Sequence, residues 1–252
     1  MIKLDGVVKS YQNFVAVNGL SLHVPEGTVF GFLGPNGAGK TTTIRMITGI
    51  LEQDEGDLRI FGHTYRKNRN EILNRLGYVP DRPFLYGKLT ANELLRFLGS
   101  LRRLPTEVVK RRGQGLLEQF QLGEFGNQLI ERFSHGMRQK LVLAAALLHE
   151  PDLLIVDEPM VGLDPRAAKQ VKQLILDFAK SGKSVFMSTH TLEVAAQLCD
   201  QVGIIHKGRL VANESIPALT ERIEANDGDL EAVFMALTKD QRNEEMREVI
   251  PQ

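Results

Sequence analysis

The apolar segment Thr28-Val29-Phe30-Gly31-Phe32-Leu33 runs straight into Gly34-Pro35-Asn36-Gly37-Ala38-Gly39-Lys40-Thr41-Thr42, and a stretch suited to a helix continues from Lys40 to Ile50. A buried strand, a glycine loop and a helix in direct succession leave few folds open, because the strand belongs inside an α/β sheet with the helix packed on its face. Gly34, Gly37 and Gly39 lack a Cβ, so the backbone can bend sharply and turn several N–H groups inward as a nest for negative charge. The free N–H groups and positive dipole end of the helix point at the same place. Lys40 is expected to reach the β- and γ-phosphates of a nucleotide and the Thr41 hydroxyl to ligate Mg2+, with Pro35, Asn36, Ala38 and Thr42 completing the loop. A glycine turn with a chance lysine is the bland alternative, and the flanking strand and helix argue against it.

The remainder of the chain can support such a core. Its 252 residues, 42% apolar and 25% charged, suit one compact unit with a subdomain or tail. Lys+Arg and Asp+Glu each number 31, so no net basic field gathers nucleic acid, and no nucleic-acid partner is expected. Cys199 is the single cysteine, which excludes an internal disulfide and fits a reducing compartment. The longest apolar run, Leu141 to Leu148, is far short of the roughly 18 residues of a membrane-spanning helix, and the first ten residues lack the pattern of a secretory signal.

Along the chain, Ile2-Lys3-Leu4 and Leu20-Ser21-Leu22-His23-Val24 predict a small antiparallel sheet leading into the phosphate-loop strand. Helical spacing takes over from about 89 to 150, first at Leu94, Leu95, Phe97, Leu98 and Leu101, then at Leu116, Leu117 and Phe120. Leu153–Val156, Ser184–Ser188 and Val202–Ile205 read as buried parallel strands, with helices over Pro165–Lys180 and Leu192–Cys199 between them. The expected architecture is α/β, with a mixed, largely parallel sheet, an antiparallel β subdomain and an inserted helical subdomain. Residues 1–215 would form the main unit and 216–252 a helical tail that ends loosely.

Two further strands end in polar residues. Leu153-Leu154-Ile155-Val156-Asp157-Glu158 puts two carboxylates at the sheet edge where open α/β folds bind ligands. Asp157 is expected to hold Mg2+, and Glu158 to orient or deprotonate an attacking water. A plain acid pair capping the Pro159 turn is the other reading. Ser188-Thr189-His190 follows the next strand, where His190 could donate to a γ-phosphate oxygen or simply face solvent.

Phe133-Ser134-His135-Gly136-Met137-Arg138-Gln139-Lys140 opens an apolar helix. The order of phosphate loop, helical block, Ser134 segment, Asp157-Glu158, Gly162-Leu163-Asp164 and His190 resembles the nucleotide-binding subunit of an ATP-binding cassette (ABC) transporter from about residue 2 to 215. The resemblance implies a P-loop ATPase using ATP and Mg2+, with Lys40, Glu158 and His190 catalytic. It implies that Tyr11 stacks on adenine, with Ala16 and Val17 on the same face. It also implies that Ser134 and Gly136 touch the γ-phosphate held by an opposite subunit, with Asp164 at the same interface, so that two ATP are sandwiched in a head-to-tail dimer. A second nucleotide-binding subunit, expected to be an identical copy, and a separate membrane-spanning permease follow as partners, at the cytoplasmic face of the cell membrane.

The sequence departs from the family at three places. His135 and Met137 replace the second and fourth residues of Ser-Gly-Gly-Gln. Asp81 stands where glutamine usually follows Gly77-Tyr78-Val79-Pro80, the loop joining the two lobes, and either serves the metal or is a solvated turn residue. Met160-Val161-Gly162 lacks the hydroxyl residues common before Leu163-Asp164. The charge at Asp81, the Gly136–Lys140 segment and a late Leu230–Phe234 helix together resemble the subgroup serving ABC-2-like and related export permeases. Phe84, Leu85 and Tyr86 either receive a coupling helix of the permease or pack the helical lobe on the core. Two rivals stand: a soluble ABC ATPase of translation or DNA repair, which would carry paired cassettes or long coiled-coil inserts, and a small-molecule kinase, which would suppress attack by water.

Overall fold

The structure, a computed structural model, describes residues 1–82 and 84–224. Strands β1 (Ile2–Tyr11), β2 (Phe14–Val24) and β4 (Glu55–Ile60) form an antiparallel sheet in the order β2-β1-β4. A second sheet has the order β5-β6-β7-β3-β8-β9, built from β3 (Val29–Leu33), β5 (Leu76–Val79), β6 (Leu153–Asp157), β7 (Ser184–Thr189), β8 (Gln201–His206) and β9 (Arg209–Ser215). Its pairs are parallel except β8–β9, which is antiparallel.

The central strands are continuous apolar runs because both faces are covered. Phe30, Phe32, Leu153, Ile155 and Phe186 point into a core shared with the antiparallel sheet and helix α1 (Lys40–Ile47). Val29, Leu33, Leu154, Val156, Val185 and Met187 point the other way, into a core shared with the helices. Phe186 ties the first core together, its ring 5.7 Å from Phe30 and 5.5 Å from Phe32. Burying each such ring contributes about 1.5–3 kcal/mol.

The helical block consists of α3 (Ala91–Leu101), α4 (Thr106–Gln119) and α5 (His135–Leu147), with two short 3-10 turns before α5. Thr90 begins α3 with a reciprocal capping box to Glu93, and Gly99 lets α4 approach, since a Cβ there would lie 2.4 Å from Val109 Cγ2. Helices α2 (Tyr65–Arg75), α6 (Pro165–Lys180), α7 (Leu192–Leu198) and α8 (Ile216–Glu224) complete the described chain. The expected late helix at 230–234 and the loose end lie outside the described residues.

One expectation needs correction. Residues 77–79, read as part of a loop between lobes, are the edge strand β5, paired in parallel with β6 from Leu76↔Leu153 to Val79↔Val156. Buried neighbours on β6 recruit this four-residue segment, which is too short to announce itself by alternation. Helix α1 also ends earlier than Ile50, where Thr48 caps it and Gly49 takes φ +69°.

Candidate active site

Three adjacent strands, β6, β7 and β3, deliver their carboxyl ends to one edge of the large sheet. The loop after β3 wraps the start of α1. Gly39, at φ +108°, is the N-cap, and no side chain caps the helix, so its first N–H groups are left to a ligand. The loop admits nothing larger than glycine at its closest contacts. A Cβ on Gly34 would sit 2.3 Å from the Ile205 carbonyl oxygen, and one on Gly39 2.6 Å from that of Ala16. Ala38 is buried beneath the loop, and its carbonyl accepts the Gly208 N–H at 2.8 Å, which fixes the loop to the β8–β9 turn.

Lys40 is buried and folds back over the loop, with Nζ donating to the Gly34 carbonyl at 2.6 Å and the Pro35 carbonyl at 3.2 Å. The same Nζ lies 3.7 Å from Glu158 Oε1, while Glu158 Oε2 is 3.0 Å from His190 Nδ1. One carboxylate therefore touches both the lysine of the first strand-loop-helix and the histidine after β7. Glu158 occupies the left-handed region at φ +51°, a conformation that costs a non-glycine residue about 1 kcal/mol or more. Beside it Asp157 is 2% exposed. Burial raises its carboxyl above the usual aspartate range and the Asp81 and Glu158 carboxylates add to this, against a hydrogen bond from Ser188 and the charge of Lys40.

The cleft is lined by Tyr11, Phe14, Ala16, Pro35, Asn36, Gly37, Gly39, Lys40, Thr41, Thr42, Asp81, Asp157 and Glu158. Most of the residues singled out in the sequence thus meet in one place. Val17 does not. It is fully buried in the core between the two sheets, just after a β-bulge in which Val15 and Val17 pair with the consecutive residues Ser10 and Lys9 of β1 and leave Ala16 to the cleft, and the expectation that it lines the adenine face is corrected. Phe14, absent from the sequence reading, stands at the mouth with Tyr11, both exposed at the turn between β1 and β2. A second aromatic three residues after Tyr11, across the same turn, was the available signal.

Ser134, Gly136 and Asp164 lie outside the cleft lining. Ser134 caps α5 by accepting the Met137 N–H at 3.3 Å. Asp164 caps α6 by accepting the N–H groups of Arg166 and Ala167, each at 2.9 Å, and these bonds hold its carboxyl below the usual range. His135 rests against Gly162, where an added Cβ would lie 3.0 Å from its Nε2, so the Ser134 and Asp164 segments are neighbours on one surface.

Among the described residues no cluster of three or more His, Cys, Asp or Glu could hold a metal by itself. The hard oxygens of Asp157, Asp81 and Thr41 fit a small divalent cation that takes its remaining ligands from water and phosphate.

Residues 17–161 match the ABC transporter family. The chain belongs to that family. It is 42% identical over 222 residues to the bacitracin transport ATP-binding protein BcrA of Bacillus licheniformis, covering 86% of this chain and 70% of the relative. It is 37% identical over 212 residues to the Nod factor export ATP-binding protein I of Ralstonia nicotianae, covering 84% and 66%. It also resembles a solved dimeric ATP-binding cassette in a post-hydrolysis state with ADP and phosphate, with TM-score 0.78 and 25% identity over 86% of this chain and 99% of that one. This ABC ATPase therefore binds ATP and hydrolyses it to ADP and phosphate.

Proposed function

We propose that this ABC ATPase drives export through a separate membrane-spanning permease, at the cytoplasmic face of the cell membrane, as a head-to-tail pair of identical subunits. The observation that supports this reading is the meeting of Lys40, Thr41, Asp157, Glu158 and Asp81 in one cleft with Tyr11 and Phe14 at its mouth. ATP would enter with adenine against the two rings and its phosphates in the nest of residues 34–42. Lys40 would exchange its backbone carbonyl partners for β- and γ-phosphate oxygens, which are stronger acceptors. Thr41, Asp157 and Asp81 would hold Mg2+, which supplies charge neutralisation at the transferred phosphoryl group.

Hydrolysis calls for a group that activates water beside the γ-phosphate, and the 3.7 Å approach of Glu158 to Lys40 supports that role for Glu158. It would take the proton of the attacking water, while His190 steadies the carboxylate through Nδ1 and offers its other nitrogen to the phosphate. Positioning and fixed charge supply most of the acceleration in phosphoryl transfer. Ser134, Gly136 and Asp164 share one surface away from the cleft, which suits them to close over the γ-phosphate of a partner copy.

A second surface fits the permease. Phe84 is 84% exposed, Tyr86 and Ile50 are also exposed, and with Leu73, Tyr78 and Leu98 they edge an apolar groove between the helical block and the core. Among the described residues no helix is long and apolar enough to cross a membrane. The relatives named for bacitracin transport and Nod factor export favour export.

Affinity isolation of the tagged Glu158→Gln variant with ATP, from gently solubilised membranes, tests the reading. A multi-helix membrane protein recovered in stoichiometric amount with two copies of this chain is expected. Ribosomal or DNA-bound partners without a membrane protein would overturn it in favour of a soluble remodelling ATPase.

A further inference from the structure

We propose that Ser188 is a positioning residue for hydrolysis, its one hydroxyl setting the orientation of both Asp157 and Glu158. This inference rests on the roles given to those two acids above. Strands β6 and β7 run parallel in a register that places Ser188 opposite Asp157. The Ser188 Oγ–H donates to Asp157 Oδ1, and the same oxygen accepts the Glu158 N–H at 3.1 Å. A hydroxyl has one proton and two lone pairs, so the donation to Asp157 orients the acceptor side toward Glu158.

Each half of this bridge answers a need of the site. Asp157 sits almost wholly buried among carboxylates that repel it, and a donor on Oδ1 favours its ionised form and fixes which oxygen is left for the cleft that it lines. Glu158 holds φ +51°, and the bond to its N–H anchors the peptide from which its carboxylate reaches Lys40 and His190.

The environment of Ser188 otherwise calls for an apolar residue. It is fully buried, and Val185, Phe186 and Met187 before it are fully buried too, so a hydroxyl there is tolerated only because it is bonded. The neighbouring Thr189 hydroxyl is engaged elsewhere, accepting the Thr191 N–H at 3.1 Å, and does not substitute for it.

Ser188→Ala, Ser188→Thr and Ser188→Val separate the hydroxyl from the volume, since threonine and valine are nearly isosteric. The two readouts are steady-state hydrolysis and binding of a fluorescent ATP analogue with and without Mg2+. Ser188→Ala should lower kcat about 10- to 100-fold and shrink the gain in affinity that Mg2+ brings, as loss of a group orienting a metal ligand does. Affinity without Mg2+ should stay within about twofold, because the phosphate loop is untouched. Threonine should restore both properties and valine should not, which decides the matter even where alanine disturbs folding. An alanine variant with both properties unchanged, or valine performing like threonine, would overturn the proposal. Asp157→Ala serves as the control: if it leaves the Mg2+ gain intact the metal assignment itself fails, and if it alone removes the gain only the role of Ser188 fails.

Discussion

At Gly39 a single methyl group would collide with the backbone of β2. Its φ of +108° excludes ordinary side chains, and a Cβ would be driven to 2.6 Å from the Ala16 carbonyl oxygen. Gly37 shares the unusual dihedral, at φ +80°, but a Cβ there meets nothing within 4 Å. Gly39→Ala should therefore weaken ATP binding at least about tenfold, because the loop must move to admit it, whereas Gly37→Ala should cost only the dihedral strain of about 1–2 kcal/mol in stability. Nucleotide titration and denaturant midpoints on both variants check the order, and equal effects would contradict it. Residues of this kind were legible in the sequence because their chemistry is local: the glycines, Lys40 and Thr41 sit within one loop. Ser188 carries no such local signal, because its partners Asp157 and Glu158 are brought to it by strand register across about thirty residues. Val17 was misplaced for a related reason, since a β-bulge at Ala16, visible only in the pairing of β2 with β1, decides which of two consecutive residues faces the cleft.

Elements with a long apolar period were legible too: α6 runs from Pro165 to Lys180 as its pattern predicts, and β6 and β7 match their buried runs. The short edge strand β5 was not, and it is held by contacts remote in sequence. Arg102 Nη1 donates to the Leu73 carbonyl at 2.7 Å, and His149 Nε2 to the Leu76 carbonyl at 3.0 Å, joining the helical block to the start of β5. Because Nε2 donates, Nδ1 carries the lone pair. It is buried with no hydrogen-bond partner among the described residues, so a second proton there would have no acceptor. Burial, with the positive charge of Arg102 beside it, depresses the His149 pKa from 6.5 to about 4. A depressed pKa means the unfolded chain binds the proton more readily, so stability present above pH 6.5 is lost as pH falls toward 4, by up to about 3 kcal/mol. Urea midpoints of the native chain and His149→Gln, measured between pH 7.5 and 4.5, should converge as pH falls. Parallel curves would show that His149 is not the group responsible.

Over the whole molecule, the phosphate cleft and the apolar groove occupy different places, and the groove can be tested without touching the chemistry. The sequence left Phe84, Leu85 and Tyr86 between docking and packing, and the structure divides them. Leu85 is partly buried against the core shared with the helices, while Phe84 and Tyr86 stand exposed in an edge-to-face pair, with Tyr86 in turn against Phe97. No periodicity could have separated three consecutive residues of an irregular segment. Phe84 contributes little to the fold at 84% exposure, so Phe84→Asp should change the thermal midpoint by no more than a degree or two, as surface substitutions do within about 0.5 kcal/mol. ATP binding should also be unchanged, since Phe84 does not line the cleft. If the groove receives an apolar segment of the permease, a buried unpaired carboxylate would weaken that association by several kcal/mol, enough to abolish co-isolation from membranes and transport together. Phe84→Leu, which keeps an apolar side chain, should retain both. Loss of nucleotide binding in Phe84→Asp would mean that the groove and the cleft are coupled within the subunit, and full co-isolation of that variant would place the permease elsewhere.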